Sequence, residues 1–492
     1  FYEAAVAHHQ ATGKRTLLDV ALRNADLVDR VFGPGRNMGV PGHQEIEIGL
    51  VRLYRATGEK KYLDLARFFL DQRGNAEGHE LYGPYNQDHL PVVEQAEAVG
   101  HAVRAGYMYA GMADVGALTG DRAYIEALGR LWENVVGRKL YVTGGIGARH
   151  EGEAFGEDYE LPNATAYSET CAAIANAMWN HRLFLLHGDA KYLDVLERVI
   201  YNGVLSGIAL DGEHFFYPNP LASDGTYEFN KGTPGRQGWF DCSCCPTNIV
   251  RFLPSIAGYV YAQREGDVFV NLFVAGSGEL EVDGRALRLR QETRYPWEGR
   301  VTIAVEPEAP AELAIRVRIP GWAQGRPVPS DLYRYLQDAA SPVTLSVNGE
   351  SQALDLDRGF AVLRRTWQKG DTITLDLPMD VRRVLSHEKV EANSGRVALE
   401  RGPIVYCAEA VDNGGQVFNL ALPDDAPLEA RHPEDLLGGL TVLEGRAQAH
   451  SADGAAKEQA FVAVPYYAWA HRGEGEMAVW LPRRPGLESP AP

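Results

Sequence analysis

One phrase occurs four times before residue 195, and it constrains the fold more than anything else in the chain. Thr12-Gly13 is followed by Leu17-Leu18-Asp19, Thr57-Gly58 by Tyr62-Leu63-Asp64, Thr119-Gly120 by Tyr124-Ile125-Glu126, and His187-Gly188 by Tyr192-Leu193-Asp194. A large residue stands four places after each glycine, an aliphatic one five after and an acid six after, which marks an internal structural repeat. Apolar residues at helical spacing precede the phrase (Ile46, Leu50, Leu53, Tyr54) and follow it (Leu63, Leu65, Ala66, Phe69, Leu70). Glycine ends helices because it adopts the left-handed conformation without a Cβ penalty. The unit is therefore an antiparallel helical hairpin. Single hairpins cannot bury their apolar faces alone, and spacings of 45, 62 and 68 residues between the four glycines are too uneven for a regular solenoid. They favour a helical toroid whose long loops gather at one end. Four hairpins plus a helix at about 246–263 fall short of a six-hairpin ring. The opening Phe1-Tyr2-Glu3-Ala4 carries neither a starting Met nor a helix cap. An N-terminally incomplete toroid is expected over 1–263.

After Ala262 the period changes from helical to alternating. Runs such as Val301–Val305, Leu313–Ile319, Val343–Val347 and Thr372–Leu377 are separated by turns rich in Gly, Pro, Asn and Asp, with Asn348-Gly349 as a hairpin turn. This predicts an antiparallel β-sandwich over 264–380 and a second β-sandwich region over 381–492. The segment 411–460, rich in Gly, Ala, Asp and Pro, is expected to be a long loop.

The chain has 48 Lys and Arg against 66 Asp and Glu, a formal net charge of −18, and no long basic run. That field repels nucleic acid and anionic membranes, so neither is expected as a partner. No stretch reaches the roughly 20 apolar residues of a membrane span. Five cysteines, three of them clustered, fit a reducing compartment, and the first residues lack a signal peptide's basic start and apolar core. A cytoplasmic location is the expectation. Exposed strand edges on a C-terminal sandwich leave a homodimer open.

The three clustered cysteines lie in Gly238-Trp-Phe-Asp-Cys242-Ser-Cys244-Cys245-Pro-Thr-Asn248. An odd set with adjacent members makes poor disulfides, which leaves metal binding or catalysis. The run is not a zinc-finger pair, so ligands from elsewhere must complete it. Ser168-Glu169-Thr170-Cys171 stands at a helix start, where a thiol's pKa falls. Glu169, Cys171, Cys244 and Cys245 would together form one oxygen-and-sulfur site suited to zinc. Cys407, in an apolar strand, reads as core. Polar loop residues between the hairpins (His43, His89, His101, Glu153, Glu157) sit where a polar ligand such as a carbohydrate would bind. The Thr143-Gly-Gly-Ile-Gly147 run lacks the Lys-Ser/Thr of a phosphate loop.

Taken together, Gly144-Gly-Ile-Gly147, Gly152-Glu153-Ala-Phe-Gly156, Leu161-Pro-Asn163, Glu169-Thr-Cys171, Phe216-Tyr217-Pro-Asn-Pro220 and Cys242-Ser-Cys244-Cys245-Pro-Thr-Asn248 resemble glycoside hydrolase family 127, the β-L-arabinofuranosidases. The resemblance runs through most of the chain, in order. It implies an (α/α)6 barrel followed by β-sandwich domains, and a zinc ion held by Glu169, Cys171, Cys244 and Cys245. It implies Cys244 as nucleophile, Glu153 as acid/base, and His43, His101 and Tyr217 as residues that hold the furanose. A zinc-bound thiol is deprotonated at neutral pH and is a competent nucleophile at an anomeric carbon. Two displacements would give retention. Two other readings stay open at this point. One is an inverting glycosidase that pairs Glu153 with a second acid such as Asp158; the other is a non-enzymatic carbohydrate-binding protein with a structural zinc.

Overall fold

The computed structural model describes residues 1–339, 341–451 and 455–484. Its first half consists of helices α1 (Tyr2–Thr12), α2 (Thr16–Val31), α3 (Ile46–Thr57), α4 (Lys60–Gln72), α5 (Ala102–Thr119), α6 (Arg122–Asn134), α7 (Thr170–His187), α8 (Ala190–Arg198) and α9 (Cys244–Phe252). Gly13, Gly58, Gly120 and Gly188 cap α1, α3, α5 and α7 in the left-handed conformation, each donating its backbone N–H to a carbonyl four residues back. The four repeats are therefore the hairpins α1–α2, α3–α4, α5–α6 and α7–α8. Two of the repeated tyrosines link successive hairpins. The Tyr62 hydroxyl donates to Asp26 of α2 at 2.8 Å, and that of Tyr124 donates to Asp71 of α4. In these two cases an outer helix is tied to the one before it.

The odd-numbered helices pack side by side as an inner row, with the even-numbered ones outside. Sequence explains the division. Fourteen of eighteen residues are buried in both α5 and α7, so these helices are apolar nearly all round and belong inside. Small residues let them approach closely; a Cβ on Gly106 would come within 2.8 Å of Ala175 Cβ.

The last helix was expected at 246–263. It starts two residues earlier, at Cys244, and passes into a 3-10 turn over Leu253–Tyr259, with the first strand of the β half at Tyr261–Arg264. Two sheets of five and six strands then face each other across a core that includes Val268, Leu289, Ile303, Ile315, Trp367 and Ile373. Asn348 and Gly349 take positive φ in the predicted hairpin turn. One departure from an antiparallel sandwich is the pairing of Asp267–Val270 with Ala311–Arg318, which is parallel. The strands of the third body form one branched hydrogen-bonded set of eleven. It recruits Ala222–Asp224 from the helical half and Tyr333–Tyr335 from the middle segment, across both expected boundaries. The expected loop at 411–460 is also corrected. It contains Leu420–Ala421, Leu428–Arg431 and Val442–His450, the last paired over eight residues with Ala456–Pro465. Its inward positions include Ala447, Ala449 and Gly445, side chains too small to give an apolar alternation in the sequence.

The bodies are bolted together by buried ion pairs. Arg318, fully buried at the end of its strand, donates to Asp194 at 2.9 Å, to Glu197 of α8, and to the Asn271 carbonyl at 2.6 Å. Removing one partner of such a cluster strands the remaining charges in a dry interface. Arg318→Leu is expected to lower stability by about 3 kcal/mol, read as the shift of the urea unfolding midpoint. A shift too small to measure would mean water reaches Glu197.

Candidate active site

The starts of four inner helices meet at one cavity of about 570 Å3. His43 lies in the loop before α3, His101 is the N-cap of α5, Glu169 is the N-cap of α7 with Cys171 in its first turn, and Cys244 and Cys245 open α9. The local backbone explains how they arrive. Ser168 adopts φ of 40°, and a Cβ on Gly145 would sit 1.8 Å from its hydroxyl oxygen. The glycine run at 144–147 therefore provides room behind Glu169. Thr170 donates its N–H to the Tyr217 carbonyl at 3.0 Å and its hydroxyl to the Phe216 carbonyl at 2.8 Å, which carries Tyr217 to the site. Pro246 falls in the first turn of α9, where no intrahelical N–H is needed.

Two remote segments converge on one cluster. The donor atoms of Glu169, Cys171, Cys244 and Cys245 all lie within 4.8 Å of one another. Glu169 Oε1 is 3.5 Å from Cys244 Sγ and 3.4 Å from Cys245 Sγ, and the two sulfurs are 3.8 Å apart. With metal–sulfur bonds of about 2.3 Å and metal–oxygen bonds of about 2.0 Å, donors around a tetrahedral zinc stand about 3.5–3.8 Å from each other. Glu169 Oε2 is buried with no hydrogen-bond partner among the described residues. A carboxylate oxygen left so is costly unless a cation takes it. Donor set, spacing and orphaned oxygen all fit a bound metal ion. Without counting an ion, hydrogen bonds from Cys171 and Cys245 pull the Cys244 thiol far below its ordinary pKa. Cys171 is pushed up by its hydrogen bond to Cys244, and burial pushes up both Cys245 and Glu169. Cys244 is the partly exposed member of the cluster, and the one whose thiol is favoured as thiolate by its neighbours. The Tyr217 hydroxyl is 3.0 Å from its sulfur.

Glu153 sits across the cavity, at φ of 50° in a turn whose neighbours are stapled to the start of α5: Phe155 N–H donates to the Gly100 carbonyl, and Ala154 bridges His101. His101 Nδ1 accepts from the Arg104 backbone N–H, so Nε2 bears the hydrogen that it donates to Glu153 Oε2 at 3.0 Å. Tyr167 donates its hydroxyl to Oε1, and Lys231 Nζ lies 3.1 Å from the same atom. Burial raises the Glu153 pKa, but the hydrogen bonds from His101, Tyr167 and Lys231 outweigh it and bring the group down to about 2. A depressed carboxylate contributes stability above its ordinary value near 4.5 that is lost as pH falls through about 2. Glu153→Gln should thus flatten the acid limb of a Tm-against-pH curve between pH 4.5 and 2. Parallel curves for the two proteins in that window would mean the carboxylate is not so held.

His43, with its imidazole driven toward the neutral form by burial, packs 6.1 Å from His101, centroid to centroid. His43, His101, Glu153, Glu169, Cys171, Tyr217 and Cys244 all line the cavity, and Cys245 lies buried behind it. His89 is not part of the lining, and Glu157 is turned outward with its carboxylate 3.5 Å from Arg149. Asp158 is also elsewhere, held by Asn134 at 2.9 Å and by Arg138. Asp158 therefore does not face Glu153 across the cavity as the second acid of an inverting pair.

Several lining residues escaped the sequence reading. Asn248 and Arg251 follow Cys244 at i+4 and i+7 on α9, so helical spacing alone puts them on its face. Both bond the Tyr107 hydroxyl, at 2.7 and 2.8 Å. Lys231 is different. It stands at φ of 55° in a turn, 2.7 Å from the Tyr167 hydroxyl and 4.4 Å from the Tyr217 ring centroid, and no spacing rule points to it.

The cavity, lined by Cys244 and Glu153 on a helical body followed by β domains, has the arrangement that comparison with known proteins assigns to a class, the glycoside hydrolases. Family comparison agrees: residues 1–258 match the β-L-arabinofuranosidase GH127 catalytic domain, 267–379 its middle domain, and 381–482 the glycoside hydrolase family 127 C-terminal domain. The chain belongs to glycoside hydrolase family 127. It is 38% identical to a non-reducing end β-L-arabinofuranosidase of Bifidobacterium longum subsp. longum, over 98% of this chain and 77% of that protein. Among solved structures, a GH127 β-arabinofuranosidase superposes with a TM-score of 0.93 at 50% identity, covering 98% of this chain and 75% of the other. A GH127 β-L-arabinofuranosidase from Geobacillus stearothermophilus T6 gives 0.91 at 43%, covering 98% and 79%.

Proposed function

We propose that the chain is a retaining glycosidase that removes non-reducing-end β-L-arabinofuranosyl residues, with Cys244 as nucleophile and Glu153 as acid/base. The observation that carries this is the single cavity that Cys244 and Glu153 both line, with Glu169, Cys171 and Cys245 gathered around the Cys244 sulfur. Glu169, Cys171, Cys244 and Cys245 would hold a zinc ion, whose positive charge would keep these thiols deprotonated. The helical body is read as part of an (α/α)6 toroid, which four hairpins with a shared inner row support.

In the reaction so read, His43, His101 and Tyr217 hold the furanose hydroxyls. Cys244 Sγ bonds to the anomeric carbon as the glycosidic C–O bond breaks, and Glu153 gives its proton to the leaving oxygen. Glu153 then takes a proton from water, whose oxygen bonds to the anomeric carbon while the C–S bond breaks and the thiolate is restored. Two inversions return the β configuration. The hydrogen bonds from His101, Tyr167 and Lys231 favour the carboxylate form of Glu153, so the acid step requires that it take up a proton when the sugar binds.

The test is the anomer released first, followed by proton NMR during hydrolysis of an aryl β-L-arabinofuranoside. β-L-Arabinose appearing before the mutarotated mixture is expected; α-L-arabinose first would sink the double displacement. Elemental analysis should give one zinc per chain, and chelation should lower activity and Tm together. A chelated protein with full activity would remove the metal from the scheme.

A further inference from the structure

Tyr107, Asn248 and Arg251 line the cavity, yet the double displacement calls on none of them. Their hydrogen bonds have a fixed polarity. An arginine is always charged and carries only donors. Arg251 Nη1 is held by Glu45 at 2.5 Å and by Glu3 at 3.3 Å, Nε donates to Asn248 Oδ1 at 2.8 Å, and Nη2 donates to the Tyr107 hydroxyl oxygen at 2.8 Å. The contact with Nε settles which end of the Asn248 amide is which. Oδ1 faces the guanidinium, so Nδ2 faces Tyr107 and donates to the same hydroxyl oxygen at 2.7 Å.

A phenol oxygen offers two acceptor positions and one hydrogen. Both acceptor positions of Tyr107 are filled, by two N–H groups that cannot take a hydrogen bond in return. The hydroxyl hydrogen is left with no acceptor among the described residues. Burial holds this phenol above its ordinary pKa, so the hydrogen is present at neutral pH. Tyr107 is 2% exposed, and a donor left unmatched at that depth is costly unless a ligand meets it. The ring lies 6.1 Å from that of His43, centroid to centroid, and its two donors stand on α9 one and two turns beyond Cys244. With the other two directions taken, the hydrogen is turned toward whatever fills the cavity.

We propose that Tyr107 is a specificity-determining residue whose hydroxyl donates to one hydroxyl oxygen of the bound furanose, and that Asn248 and Arg251 are positioning residues that fix the direction of that donation. The acceptor is a hydroxyl rather than the ring oxygen, which loses electron density in an oxocarbenium-like transition state and accepts poorly there. A sugar without that hydroxyl leaves a buried donor unpaired and is rejected on that account. This rests on the glycosidase reading given under the proposed function.

The experiment measures kcat/KM for an aryl β-L-arabinofuranoside and for its three singly deoxygenated forms. Tyr107→Phe should lower the parent value about 10- to 100-fold and that of one deoxy form by less than about 2-fold, because that substrate never had the bond to lose. A cavity merely distorted by the substitution loses the same factor on every substrate. Asn248→Asp replaces a donor by a carboxylate, which accepts the phenol hydrogen and draws it away from the sugar. The same pattern across the substrates is expected, with little further loss when the two substitutions are combined. An equal loss on all substrates in Tyr107→Phe, or none, overturns the assignment, and so does wild-type behaviour of Asn248→Asp. Calorimetric titration with an imino-sugar analogue of L-arabinofuranose, whose ring has no glycosidic bond to cleave, and with its deoxy forms separates binding from turnover. If the wild type cleaves none of the glycosides, the glycosidase reading falls, while the titration still decides the donor: a Tyr107→Phe loss that spares one deoxy analogue supports it, and a uniform loss or none overturns it.

Discussion

Cys244→Ser should fold, bind L-arabinose and turn over at less than about a thousandth of the wild-type rate, because removing a covalent nucleophile removes the bond that carries the reaction. Serine has a far higher pKa than a thiol, and nothing in the cluster is arranged to ionise it. The substitution also takes one of four ligands from the proposed metal site, so metal content must be measured alongside rate. Cys245→Ser is the control: it removes a ligand buried behind the cavity without removing the group that faces the sugar. If both variants lose zinc but only Cys244→Ser cannot be revived by added zinc, the nucleophile assignment stands. A Cys244→Ser protein with near-normal kcat ends it.

Glu153→Ala should cost about 10^2–10^4 in kcat/KM for substrates with a poor leaving group, the usual range for a lost acid/base. Substrates with an activated phenol should lose much less in the first step, since such a leaving group departs without a proton. For these the second step limits the rate, and azide, which needs no base, should speed it and give a β-L-arabinofuranosyl azide. The hydrogen bonds to Glu153 from His101, Tyr167 and Lys231 make it the one carboxylate so equipped in the cavity among the described residues. An equal loss with every leaving group, with no response to azide, would assign Glu153 to sugar binding instead.

The helical hairpins were legible because a left-handed glycine cap and a 3.6-residue period are both written in local sequence. The cysteine cluster was legible because the residue is scarce and chemically specific. What failed to show was whatever depends on long-range pairing. In the hairpin Val442–His450 with Ala456–Pro465 the inward run after Leu443 is Gly445, Ala447 and Ala449, too small to show as an apolar alternation, and the parallel pair joining 267–270 to 311–318 has no sequence mark. Lys231 reaches Glu153 from 78 positions away through a turn conformation that side-chain chemistry does not announce. Asp158 illustrates the opposite failure: it was offered as the second acid of an inverting pair, whereas Asn134 and Arg138 hold it outside the cavity.

Four helix starts share one small volume, and that has a bearing on transplanting this chemistry. Helix starts carry the positive end of the helix dipole, and here they surround Cys244, Glu153 and Glu169 within a chain of net charge −18. A grafted peptide bearing only the 169–171 and 242–248 segments would coordinate an ion. Deprived of the other helix ends, it should keep its sulfur more basic and a slower attacker at neutral pH. The portable unit is the convergence of four helix starts on one cavity, and an engineered scaffold has to reproduce that geometry first.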